Sequence, residues 1–153
     1  MSSLRERFTA DLKDAMKAGD KAKVSTLRLV TSALKDKDIE ARGLGKGETT
    51  AEELLALLQK MIKQRQESIA IYDANDRPEL AAGERAEVEV ISAYLPKQMS
   101  DAEVKAAIDA AIAETGAGAV KDMGKVIGVL RANYAGQMDF GKVSPLVKAA
   151  LGG

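Results

Sequence analysis

The chain has 153 residues, with 23 Lys plus Arg against 23 Asp plus Glu, so its formal net charge is zero. That balance supplies no global field toward nucleic acid or membrane, and any electrostatic binding has to be local. Cysteine and histidine are both absent, which excludes disulfides, thiolate and imidazole catalysis and the common zinc sites, and makes a reducing cytoplasm the expected compartment.

Strong helix formers dominate and β-branched residues never alternate with polar ones over strand-length stretches, so the predicted class is all-α. The first helix starts after Ser2 or Ser3, places Leu4, Phe8, Leu12, Ala15 and Met16 on one face and closes at Gly19. Asp20 caps a second helix carrying Val24, Leu27, Val30, Leu34 and Ile39, which ends in the stretch from Gly43 to Gly47. Thr50 and Glu53 form a capping box for the third and longest helix, with Leu54, Leu57, Leu58, Met61, Ile62, Arg65, Ile69 and Tyr72 at helical spacing. Asn75-Asp76-Arg77-Pro78 ends it and opens a fourth helix with Leu80, Val88, Ile91 and Leu95 inside. Ser100 and Glu103 form another capping box, so the domain boundary is expected in the preceding link, giving an N-terminal four-helix domain over 1–96 and a C-terminal three-helix domain over 97–153. In the second domain Val104, Ala107, Ile108, Ala111 and Ile112 mark one helix and Met123, Val126, Ile127 and Leu130 the next. Phe140, Val143, Leu146, Val147, Ala150 and Leu151 mark the last. Helices this short are marginal alone and need one shared core.

The N-terminus opens on charged, helix-forming sequence, and no run approaches ~18 apolar residues, so neither export nor a membrane span is expected. With two Phe, three Tyr and no Trp, stacking platforms for single-stranded RNA are hard to assemble. Gly116-Ala117-Gly118 to Gly124-Lys125 fails as a phosphate loop, because its spacing is one residue too long, Val126 replaces Ser or Thr, and no strand precedes it. Asp36, Asp38 and Glu40 alternate sides of a helix without a calcium-loop glycine and read as a solvated face, not a metal site. Glu84, Glu87 and Glu89 lie in an amphipathic pattern beside Arg85 and likewise read as surface charge. Lys13 with Lys17, and Lys60 with Lys63, are basic pairs interrupted by acids.

Gly124 and Gly128 are more informative, since a glycine inside a helix costs ~1 kcal/mol relative to alanine. Tight helix packing is the first explanation; the second is a smooth cationic surface for a phosphate backbone, with Lys121, Lys125 and Arg131 near the same side.

Tyr94-Leu95-Pro96-Lys97-Gln98-Met99-Ser100, followed by Lys121 to Leu130, resembles the GatB/YqeY family, and Ile62-Lys63-Gln64-Arg65 with Ser68, Ile69 and Tyr72 is similar to its N-terminal half. The resemblance spans nearly the whole chain. It implies an all-helical N-terminal domain and a C-terminal three-helix bundle similar to the tail of the GatB subunit of the tRNA-dependent amidotransferase, a tail that helps hold tRNA. The match runs through Gly128, Gly136, Asp139, Leu146 and Val147 and raises Lys121, Lys125, Gly128 and Arg131 as tRNA-facing or partner-facing positions. The lysine or arginine usual after the glycine at 136 is replaced by Gln137. The amidase Ser-Ser-Lys signature and the kinase-like domain are missing, so carbon-nitrogen ligation with glutamine as donor is a family label without residues here. The expectation is a binder of tRNA or of a tRNA-processing enzyme with no catalysis of its own, no cofactor and no metal, or else a protein-interaction module; the oligomeric state is left open.

Overall fold

Side chains fix where the helices begin. In the computed structural model, which describes residues 3–152, Ser3, Thr50 and Ser100 each accept the backbone N–H of the glutamate three residues on, at 3.2, 3.1 and 3.2 Å. Those glutamates reach back to the capping residues' N–H groups, which completes three capping boxes and satisfies amides that a helix start leaves unpaired. The alternative cap at Ser2 lies outside the described residues. Asp20 and Asp139 cap by the same chemistry, accepting from Lys23 and Gly141. Gly19 and Gly116 end their helices with φ of 72° and 68°, the left-handed region that glycine enters without a Cβ penalty.

The helices are α1 (Leu4–Ala18), α2 (Lys21–Gly43), α3 (Ala51–Ala74), α4 (Pro78–Ser92), α5 (Asp101–Thr115), α6 (Met123–Tyr134) and α7 (Phe140–Ala150), with a 3-10 turn over Val120–Asp122 before α6; α4 opens on Pro78 and α6 on that turn, both without a side-chain cap. The described residues contain no strand, as the all-α reading requires. The chain divides between Leu95 and Pro96 into two compact units.

In the first unit α3 and α4 form the most extensive helix pair, and α2 packs on α4 while α1 packs on α2. Leu27, Val30, Leu58 and Ile91 are fully buried between them. Phe8 meets Tyr94 edge to face, ring centroids 4.8 Å apart at 72°, an arrangement that sets a positive ring edge against a negative ring face. In the second unit Val104, Ile108 and Ala111 of α5 close on Val126 and Leu130 of α6 and on Val143 and Val147 of α7, with Met138 from the α6–α7 loop filling the same core.

Five apolar residues expected inside are not, Ala150 among them. Met16, Ile39, Leu80 and Leu146 are 54%, 56%, 45% and 52% exposed. The apolar stripe of each helix is wider than the neighbour that covers it, and one residue of rotation moves a side chain about 100° around the axis. In α4 Ala81 is fully buried while its neighbour Leu80 is not, and Ile91 is buried near the other end of the helix.

Leu58 is sealed on all sides, so Leu58→Ala is expected to lower the unfolding free energy by about 2 to 5 kcal/mol. Met16→Gln should change it by less than about 0.5 kcal/mol. Urea unfolding followed by circular dichroism measures both.

Candidate functional site

The helix that carries the predicted site, α6, is aimed by its buried face. Val126 and Leu130 are fully buried, and helical spacing then turns Gly124, Lys125, Gly128 and Arg131 to the opposite side, where all four are exposed, as is Lys121 in the 3-10 turn that precedes the helix. A Cβ added at Gly124 or Gly128 would meet no atom within 4 Å. That corrects the packing explanation for the two glycines: among the described residues no atom lies close enough to either to require the missing side chain. Arg131 lies over the ring of Phe140, 5.4 Å from its centroid, a contact that restrains the guanidinium without neutralising it.

The charge around α6 is one-sided. From Lys121 to Lys148 the chain carries Lys121, Lys125, Arg131, Lys142 and Lys148 against Asp122 and Asp139. Both carboxylates are turned toward their own backbone: Asp122 accepts from the Gly118 N–H at 3.2 Å and Asp139 from the Gly141 N–H at 2.9 Å. The first bond also shows why the glycine-rich loop cannot cradle phosphate, since a carboxylate of the same loop takes one of its amides.

Most of the segment Tyr94–Ser100 is held by contacts within the fold. Tyr94 packs on Phe8, donates its hydroxyl to Asp11, and carries the Arg7 guanidinium 5.0 Å from its ring centroid. Burial, reinforced by that bond to Asp11, raises the phenol above its ordinary value. Gln98 donates to the Gly136 carbonyl at 2.6 Å, the Met99 N–H donates to the Gln137 carbonyl at 2.9 Å, and Ser100 caps α5. Gly136 has a φ of 79°, so the loop between α6 and α7 needs glycine there while Gln98 and Met99 hold it. Gln137, where the resemblance would put a cation, is fixed by its backbone to Met99 and Tyr134.

Two expectations about acidic residues in the first unit are corrected. Asp38 is no solvated surface group: Arg5 reaches it through both terminal nitrogens, at 2.8 and 2.7 Å, and the Thr49 N–H donates to it at 3.0 Å. Its side chain is 13% exposed, and the Arg5 guanidinium, then the Thr49 amide, hold the carboxyl far below the usual carboxylate range. Glu87 likewise accepts from Arg65 Nε at 2.7 Å, joining α3 to α4. No local pattern announces either pair, because the partners stand 33 and 22 residues apart in sequence. Asp36, Glu40 and Glu89 are exposed as expected, as are Lys13, Lys17, Lys60 and Lys63. Among the described residues no group of three or more His, Cys, Asp or Glu side chains is placed to hold a metal ion, and no helix is long and apolar enough to cross a membrane.

A model of the family described as Yqey-like protein matches residues 5–151. Several yeast proteins named "Altered inheritance of mitochondria protein 41, mitochondrial" are similar to this chain. The protein from Vanderwaltozyma polyspora is 40% identical over 85 residues, 56% of this chain and 44% of the relative. That from Lachancea thermotolerans is 35% identical over 106 residues, 68% of this chain and 55% of the relative. That from Saccharomyces cerevisiae strain YJM789 is 38% identical over 85 residues, with the same shares as the first. The chain spans about half the length of the curated relatives it matches. Their names overturn the cytoplasmic expectation, since all are mitochondrial proteins by name. A cysteine-free composition reports independence from disulfides, whereas a compartment is chosen by an address that receptors read.

Asp38→Asn removes the charge that Arg5 binds. Discounted for the solvent that reaches Arg5, the expected loss is about 1 to 2 kcal/mol near neutral pH. Because the folded-state pKa of Asp38 lies below its unfolded value, this stabilisation is present above about pH 4 and disappears as the pH falls through the folded pKa. Thermal unfolding across acidic pH should therefore show the variant's deficit shrinking toward low pH; a deficit that stays constant contradicts the assignment.

Proposed function

Because the chain belongs to the Yqey-like protein family, we propose that it is a non-catalytic binder of tRNA, or of a tRNA-bearing enzyme complex, through the outward face of α6. The observation that carries this reading is the pair of glycines that meet nothing within 4 Å, on the same face as Lys121, Lys125 and Arg131. Each glycine costs the helix about 1 kcal/mol relative to alanine, and no contact inside the fold offsets it. A cost without internal return is explained by an external ligand that must come close to the helix backbone. Three cations around a side-chain-free strip suit a phosphate backbone, whose affinity rests on local cations rather than on net charge. This agrees with what the sequence resemblance to the GatB tail implies. The reading assigns no chemistry to the chain: glutamine-dependent carbon-nitrogen ligation needs an activated nucleophile, and the amidase Ser-Ser-Lys signature that would supply one is missing from the sequence.

A protein-docking reading is favoured by a different residue. Leu146 of α7 is 52% exposed although it lies between the buried Val143 and Val147. Changing it to glutamate leaves phosphate contacts intact and abolishes an apolar one.

The combined Lys121→Ala, Lys125→Ala and Arg131→Ala variant is expected to bind tRNA roughly tenfold or more weakly, with the slope of log affinity against log salt shallower by about 2 to 3. Fluorescence anisotropy over a salt series measures both, and unchanged affinity rejects the proposal. Gly128→Ala separates stability from function: it should stabilise the helix by about 1 kcal/mol while weakening tRNA binding. If Leu146→Glu releases a protein partner from nuclease-treated extract while tRNA affinity is untouched by the triple variant, the docking reading replaces it.

A further inference from the structure

Ile39 occupies a position that helical periodicity assigns to the core side of α2, yet it is 56% exposed. It lines a groove of about 310 Å³ along α1 and α2, whose walls include Phe8 and Leu34, 1% and 6% exposed. Lys35 stands one turn before Ile39 and Arg42 one turn after it. Both are exposed and line the same groove. Neither takes part in any of the ion pairs found among the described residues. The carboxylate in the groove, Asp38, is already taken by Arg5 and Thr49. The groove therefore presents an apolar centre between two uncompensated cations, seven residues or about 10.5 Å apart along the helix axis.

We propose that this groove docks an acidic amphipathic helix of a partner protein. Two carboxylates seven residues apart on the incoming helix would face Lys35 and Arg42, and apolar side chains midway between them would cover Ile39. The charge left over by the Arg5–Asp38 pair supplies the complementarity, and the exposed isoleucine supplies the area to be removed from water. Nucleic acid fits the same surface poorly. Phe8, the aromatic residue of the groove, is too deeply buried to stack on a base, and the hydroxyls of Thr9 and Thr31 already donate to the carbonyls of Arg5 and Arg28. This site lies in the first unit and shares no residue with the α6 face, so either proposal can fail alone.

The test uses the full chain, labelled with nitrogen-15, and a stapled helical peptide bearing two glutamates seven residues apart around a leucine pair. A peptide with lysine in place of each glutamate and a single-stranded uridine RNA are the comparisons. The glutamate peptide is expected to shift the amide signals of Lys35, Ile39 and Arg42. Anisotropy should show roughly tenfold or more weakening for Ile39→Asp and for the Lys35→Glu, Arg42→Glu pair, as expected of residues at the centre of an interface. The paired variant should in turn bind the lysine peptide. Ile39→Ala, too mild to disturb folding, must weaken binding in the same direction. The proposal is overturned if the glutamate peptide shifts none of these signals or shifts others instead, if the lysine peptide binds the unmodified chain equally well, or if the RNA shifts them in its place.

Discussion

Arg5 grips Asp38 with both terminal nitrogens and also donates to the Thr49 carbonyl at 3.1 Å, so one guanidinium joins the start of α1, the last turns of α2 and the residue before the cap of α3. The Thr49 N–H closes the ring by donating back to Asp38. Much of the first unit follows from that arrangement. It fixes how far α1 lies along α2 and sets Thr50 in place to cap α3. The same pairing leaves the groove beside it with a surplus of positive charge, because its carboxylate is already satisfied. Planarity makes Arg5 suited to this role, since the two parallel bonds define direction as well as distance.

The second unit is organised around a different constraint. Its core is made almost entirely of aliphatic side chains, and its helices are too short to persist without one another. Against that background, two exposed glycines in a helix of twelve residues are a marked departure from what stability favours. Departures of this kind in an otherwise consistent sequence are where function is to be sought. By contrast, the segment from Tyr94 to Ser100, the clearest sign of the family, is explained by its contacts: it secures Phe8 and Asp11 within the first unit, and the Gly136–Gln137 turn and the α5 cap within the second.

The family match over residues 5–151 places the chain without fixing an activity. The yeast proteins are named for the inheritance of mitochondria, and the chain spans about half their length.

Local signals in the sequence determined the helices and their limits. Ser3, Thr50 and Ser100 with their glutamates, the glycines at 19 and 116, and Pro78 each act within a few residues, and short-range geometry is what a linear pattern records. The exposure of Lys125, Gly128 and Arg131 was legible for the same reason, since it follows from the phase of Val126 and Leu130. Tertiary structure alone decided which part of each apolar stripe is covered, leaving Ile39 and Leu146 in water and rotating Ala81 inward in place of Leu80. It alone turned Asp38 and Glu87 from apparent surface charges into partners of Arg5 and Arg65. Such pairings depend on where distant helices pass one another, and the spacing of residues along the chain carries no record of that distance.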